Sequence, residues 1–288
     1  TGTAVKTGVL PIYNMKTKFS NSLIFLIFFS FSNLFSQEIG IQLYSLRNQF
    51  NDNIENTIKK ISDWGINIVE GGDSYGISDE SFIKLLDKYN IKTVSIGASY
   101  DNLRDNIDDI ISEAKKYDVK YLMCGSIPHE GRFDVGKMNE AIKIFNTAGK
   151  ILNQNGITLT YHIHGYEFTK YKEGTLFDHM VENSKHFLFE MDVFWVQHGG
   201  ADPLELLNKY PDKFVMMHLK DMKKGLVGNN SGSEDVEANV TIGTGQIEIE
   251  KIVKRAREIG VKYMFIEDES SRVLSQVPLS LKFLKNIK

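Results

Sequence analysis

Cysteine is almost absent from this chain: Cys124 stands alone among 288 residues, which excludes an internal disulfide. Its neighbours in Tyr121-Leu-Met-Cys124 are apolar, the setting of an inert buried thiol. Surplus positive charge is absent as well. Lys and Arg number 34 against 37 Asp and Glu, a formal net charge of -3, so no basic field is offered to nucleic acid. With five prolines, no linker or low-complexity tract divides the chain. A hydrophobic fraction of 42% with 25% charged residues is that of an ordinary globular protein.

Long apolar runs are also lacking, with one short exception near the front. Met15 is followed by the basic Lys16 and Lys18, an apolar stretch from Leu23 to Phe35, and then Ser36-Gln37. That order is the basic, apolar and small-residue sequence of a secretory signal peptide, and the stretch is short for a transmembrane span. Residues 1–36 are therefore expected to be leader and signal peptide, and residues 37–288 the mature domain, in the periplasm or outside the cell. Leu34 departs from the small residue expected three positions before the cut, which leaves an uncleaved anchor as the alternative. No cysteine follows the stretch, so a lipid anchor has no attachment point.

Along the rest of the chain, short β-rich runs alternate with amphipathic helical patterns. Strands are predicted near 38–44, 67–70, 91–97, 119–124, 157–164, 187–192, 213–219 and 262–268. Helices are predicted near 52–63, 79–89, 102–117, 136–154, 174–183, 203–209, 248–259 and 276–286. Ser78-Asp-Glu precedes one helix, and Gly65, Gly156 and Gly260 follow others. Eight such units of about thirty residues match the size of a single (β/α)8 TIM barrel. A doubly wound open sheet is the competing α/β fold, yet Ile39-Gly-Ile-Gln-Leu-Tyr-Ser-Leu-Arg47 lacks the Gly-rich phosphate turn it would want.

In such a barrel, chemistry sits where strands end. In Thr158-Leu-Thr-Tyr-His-Ile-His164 the alternation of faces puts Thr158, Thr160, His162 and His164 on one side. Other strand ends carry Glu70, then Asp192, then His218, Lys220 and Asp221, then Glu267, Asp268 and Glu269. Glu190 and Asp192 share a face, as do His218 and Lys220, and Glu267 and Glu269. A polar layer of this kind is costly to bury without a ligand. A His/Asp/His/Glu set with mixed nitrogen and oxygen donors suits one divalent Mn, Zn, Co or Fe ion better than Mg or Ca.

The order of these motifs carries a resemblance: the His162–His164 pair, Asp192-Val-Phe-Trp with Gly199-Gly-Ala-Asp-Pro203, His218-Leu-Lys-Asp221, Gly243-Thr-Gly245 and Ile266-Glu-Asp. Together they resemble the sugar phosphate isomerase/epimerase superfamily of xylose isomerase-like barrels, over Ile39 to Lys285. The resemblance implies one divalent metal, Mn, Zn or Co, held by His162, Asp192, His218 and Glu267. The epimerases place a glutamate where His162 stands, so their pair of carboxylates on opposite faces of a carbon is incomplete here. Tyr-His-x-His and His-Leu-Lys-Asp are most similar to the inosose dehydratase branch, whose reaction is an elimination. Glu167 offers a further carboxylate past the strand end, with no place assigned by the pattern.

The chemistry implied is removal of the proton next to a metal-polarised sugar carbonyl. His164, Glu70 or Glu190 are candidate bases, Glu267 joins ligation to proton transfer, and Lys220 is placed to hold an anionic oxygen. Tyr44 and Trp195 suit an aromatic wall for a sugar ring, with core packing as the other role. His198 is divided between loop structure and substrate contact. Lys223-Lys224 and Glu234-Asp-Val-Glu237 fit a solvated loop face, and the loop from Met222 to Val240 a lid. Gly243-Thr-Gly245 is no phosphate cradle by itself. Export and few basic strand-end residues favour an unphosphorylated sugar, acted on by an isomerase or epimerase. A lyase eliminating from a keto-sugar or 3-keto-glycoside is the alternative, and a non-catalytic sugar-binding barrel a third. A homodimer is left open, and the charge balance argues against a metal-barrel endonuclease.

Overall fold

The computed structural model describes residues 1–4 and 38–288. The expected leader over residues 1–36 therefore lies outside the described residues except for its first four. The chain divides into two units, Thr1–Phe35 and Ser36–Lys288, and every helix and strand described belongs to the second.

Eight strands form a closed barrel: β1 (Glu38–Gln42), β2 (Ile68–Glu70), β3 (Lys92–Gly97), β4 (Tyr121–Cys124), β5 (Thr158–His162), β6 (Phe187–Asp192), β7 (Phe214–Leu219) and β8 (Tyr263–Ile266). Each pairs in parallel with the next, and β8 closes on β1 with Ile39 opposite Met264. The open-sheet alternative is thereby excluded. Helices follow the strands, and their outer layer buries residues such as Ile58, Phe82, Phe145 and Leu284 against the barrel. Among the described residues no helix is long and apolar enough to cross a membrane.

Period-two alternation sets what fills the barrel. At one level Ile68, Val94, Tyr121, Met216 and Phe265 pack together. A Cβ on Gly40 would lie 2.8 Å from Phe265 Cδ1 and 2.7 Å from the Ile68 carbonyl oxygen, so the missing side chain makes room for that plug. Two residues onward along three of these strands stand Glu70, His218 and Glu267. The apolar plug thus underlies a polar layer at the strands' C-terminal ends.

Local chemistry revises several expected boundaries. The helical run near 52–63 is split, because Asn53 is extended and its side chain accepts from the Asn56 amide, capping Ile54–Asp63. The run near 102–117 breaks at Asn106 into Tyr100–Asp105 and Ile107–Lys116. β5 ends at His162 rather than 164: the His164 amide donates to the Glu167 carboxylate, and Gly165 turns with φ 94°. Helix Val193–His198 was not anticipated; Asp192 nucleates it by accepting from the Phe194 and Trp195 amides.

Helix Leu176–Asn183 begins with a reciprocal cap in which Thr175 and Asp178 each accept from the other's amide. Asp178 also accepts from Lys209 at 2.8 Å and Tyr210 at 2.7 Å. Burial would raise its pKa, but Lys209, Tyr210 and Thr175 prevail and bring it to about 2. Its stabilisation is therefore present above pH 3.8 and lost as the pH falls through about 2. Asp178→Ala is expected to cost about 1 kcal/mol at pH 7, read from urea unfolding; an unchanged midpoint would remove this role.

Candidate metal centre

Four neighbouring strands aim polar side chains at one point. His162 from β5, Asp192 from β6, His218 from β7 and Glu267 just past β8 offer ligand atoms that all lie within 4.8 Å of one another. All four are at least nine-tenths buried. Asp192 uses Oδ1 to accept from Phe194 N and Trp195 N at 2.8 and 3.0 Å. Its Oδ2 has no hydrogen-bond partner and lies 3.8 Å from His162 Nε2. A buried carboxylate oxygen without a partner, between two imidazoles and a glutamate, is what a divalent cation would satisfy.

Behind these residues, two further carboxylates orient the imidazoles. His218 Nε2 donates to Glu70 Oε2 at 2.5 Å, which leaves Nδ1 facing Glu267 Oε2 at 3.2 Å. His162 Nδ1 faces Glu190 Oε2 at 3.3 Å, leaving Nε2 toward Asp192. Gln42, not singled out from the sequence, donates from Nε2 to Glu70 Oε2 at 3.1 Å. Glu70 thus meets His218 edge-on, and Glu70 and Glu190 fix the ring nitrogens as outer carboxylates do in histidine metal sites. Glu70 and Glu190 each keep one buried oxygen without a partner.

Charges in this cluster shift one another strongly. Burial alone would strip His218 of its proton, but Glu190 and Glu267 hold its pKa well above the ordinary value. Burial, with His218 and His164 nearby, pushes His162 well below. Burial raises Asp192 to about 7 against the pull of Lys220. It also lifts Glu190 well above the usual range, with Glu70 adding to it. Glu267 goes the other way: Lys220 and His218 overcome burial and keep it ionised. Without a metal, His218 thus carries the positive charge that these carboxylates need, and a bound cation would displace its proton.

A cavity of about 450 Å³ opens above the cluster, lined by His162, His164, His218 and Glu267 on its floor and by Tyr44, Trp195, Glu234 and Glu269 higher up. His164 lies between the rings of Trp195 and Tyr166, its Nδ1 has no partner, and burial lowers its pKa to about 4. It is neutral near pH 7. Tyr44 is 54% exposed at the rim. Lys220 does not reach the cavity as a free cation: it is buried, its Nζ is 2.5 Å from Glu269 and 3.4 Å from Glu267, and it lies under Trp195. Its position is that of a brace for both glutamates rather than a grip on substrate.

The structure also places two residues that the sequence left open, His198 and Glu167, and moves a third, Glu234. His198 is 1% exposed, does not line the cavity, and donates from Nε2 to Glu234 Oε2 at 3.0 Å, holding the loop after β7. Glu234, expected on a solvated face, lines the cavity instead, while Glu237 does pair outside with Arg272. Glu167 is buried away from the cluster, accepting from the Tyr161 hydroxyl and the His164 amide. Tyr161 belongs to the opposite face of β5 from His162, so Glu167 supplies no carboxylate to the cavity.

The two weaker motifs prove to be one device. Asp221 accepts from the amides of Met222, Gly243, Gly245 and Ile247. A Cβ on Gly245 would come within 2.2 Å of Asp221 Oδ1, so Gly243-Thr-Gly245 cradles a carboxylate of this chain and no phosphate. Cys124 is 1% exposed and burial pushes its thiol up to about 12.

Comparison with known proteins agrees with this architecture. The sequence family described as Xylose isomerase-like TIM barrel matches residues 58–287. Inosose dehydratase from Geobacillus kaustophilus is 34% identical over 80 residues, 26% of this chain and 25% of that protein; the match thus spans about a quarter of the relative's length. The crystal structure of a sugar phosphate isomerase/epimerase from Parabacteroides distasonis superposes with TM-score 0.74 at 22% identity, covering 88% of this chain and 100% of that one. The IolI protein, solved with a bound zinc atom, gives TM-score 0.67 at 14% identity over 86% of this chain and 96% of its own. At these identities the two structures speak for the fold.

Asp192→Asn keeps an oxygen for the Phe194 and Trp195 amides while removing the charge. We expect unchanged circular dichroism but a loss of zinc affinity exceeding the roughly 10–100-fold typical of an outer residue, read by competition with a chromophoric chelator. Wild-type affinity should itself weaken as the pH falls below about 7, where Asp192 holds a proton. Unaltered affinity in the variant would remove Asp192 from the ligand set.

Proposed function

The chain belongs to the xylose isomerase-like TIM barrel family, and from that premise we propose that it is an exported, divalent-metal-dependent enzyme that acts on an unphosphorylated sugar or sugar derivative by enolisation. The observation that carries this reading is the unpartnered Asp192 Oδ2 among His162, His218 and Glu267, the last three of which line a cavity. Those four residues would hold the ion, which when bound supplies Lewis-acid polarisation of a substrate carbonyl.

The chain's own groups do the rest. Glu267, kept ionised by Lys220 and His218, accepts the proton next to the carbonyl from the β8 side. His164, neutral and with Nδ1 unpartnered, exchanges a proton from the β5 side. Lys220 positions Glu267 and Glu269. Trp195 and Tyr44 offer apolar faces to a sugar ring. Among the described residues no Lys or Arg lines the cavity, whereas Glu234, Glu267 and Glu269 do. Such a wall offers a phosphate no guanidinium or ammonium grip and accepts hydroxyl donors. Export rests on the pattern from Met15 to Gln37.

Reprotonation at the same or the adjacent carbon makes the enzyme an epimerase or isomerase. Elimination of a β-substituent, from a keto-sugar or 3-keto-glycoside, is the second reading. It is favoured by Glu167 turning away, which leaves the β5 side with imidazole and no carboxylate. One base and a polarised carbonyl suffice for that exit.

The test is NMR in D2O of protein reloaded with Mn or Zn after chelation, against free ketoses, aldoses and 3-keto-glycosides. Solvent deuterium is expected in a rearranged sugar, or a new enone with released aglycone or water if the reaction is elimination, and Glu267→Gln should lower the rate by about 10²–10⁴. Neither exchange into nor elimination from any sugar with either metal, or full turnover by the variant, would sink the proposal.

A further inference from the structure

Beside the metal-centre cavity a second hollow of about 480 Å³ opens on the same face of the barrel, between the loops that follow β4, β5 and β7. One stretch of chain divides the two: Asn230 and Ser231 line the second hollow, while Gly232, Ser233 and Glu234 line the first. Gly232 presses that stretch onto Tyr166, since a Cβ there would meet the ring at 2.7 Å. The Tyr166 ring in turn stacks on His164 and meets the edge of His129, at 6.0 and 4.6 Å between centroids. The hollows are thus adjacent across a single aromatic ring.

Their charges are opposite. Three carboxylates and no Lys or Arg line the first, whereas Arg132 and Lys170 and no carboxylate line the second. Neither cation has an ion-pair partner among the described residues. His129 donates from Nδ1 to the Ile127 carbonyl at 2.8 Å, which leaves Nε2 as its remaining polar atom. A guanidinium fork beside an ammonium group is donor chemistry for a carboxylate or a sulfate.

We propose that this second hollow binds an anionic substituent of the same molecule whose sugar ring occupies the metal-centre cavity. The substrate is then a glycoside or oligosaccharide bearing an acidic group beyond the reacting ring, an inference that rests on the functional reading above. The charge contrast orients it. Arg132 and Lys170 are free to attract the acidic end, whereas the carboxylates of the first cavity are already paired and no Lys or Arg lines it.

Calorimetry on the zinc-loaded full chain tests this with a matched pair, phenyl β-D-glucopyranoside and 4-carboxyphenyl β-D-glucopyranoside. The carboxylated glycoside should bind about tenfold tighter at low ionic strength, with the gain shrinking as salt is added. The Arg132→Ala/Lys170→Ala double variant, at exposed positions, should lose that gain and keep the affinity for the uncharged glycoside. Equal affinities in the wild type, or a gain that survives the double variant, would overturn the proposal. So would benzoate binding alongside the uncharged glycoside with no mutual effect, which would mark an independent anion site. Turnover of a sugar with no carboxylate preference would strike the second hollow alone; the preference with neither exchange nor elimination would strike the catalytic reading alone.

Discussion

Everything at the C-terminal end of this barrel depends on neutralising carboxylates that the fold has removed from water. Glu70, Glu190, Asp192 and Glu267 are all buried, and two side chains, His218 and Lys220, supply the positive charge among them. His218 touches Glu70, Glu190 and Glu267 at once, and Lys220 braces Glu267 and Glu269. Removing carboxylates from water is affordable only with such pairing or with a bound cation. The unpartnered oxygens of Asp192, Glu70 and Glu190 point to the latter.

The same constraint shapes the surrounding backbone. Asp192 divides its two oxygens between a helix start and the cluster, so one residue both builds Val193–His198 and serves the centre. That helix carries Trp195 to the cavity wall and His198 to the latch on Glu234. Asp221 gathers four backbone amides and ties the start of the loop after β7 against the segment that leads to the next helix. Both devices use a carboxylate as the organiser of a loop, close to where other carboxylates await a ligand.

Much of this was legible in the chain itself, for a physical reason. Alternation along a strand is local, so the shared face of Glu190 with Asp192, and the level of His218 and Glu267 above Met216 and Phe265, follow from counting by two. Eight repeats of strand and helix pattern sufficed for the barrel, because right-handed parallel connection leaves few other ways to bury eight apolar strands. The boundaries that slipped, at Asn53, Asn106 and His164, are those where a side chain competes with the backbone for its hydrogen bonds.

By itself, then, the sequence determined the elements, the side each residue of a strand would face, and the set of side chains at the strand ends. Only the tertiary structure decided their partners. It turned Glu167 toward Tyr161 and away from the cavity, brought Glu234 inward, engaged Lys220 with two glutamates, and set Gln42 and Glu70 behind His218. Each of those outcomes joins residues far apart in the chain or placed by loops. Strand periodicity does not reach past the last ladder hydrogen bond, and beyond it the packing of the whole barrel decides direction.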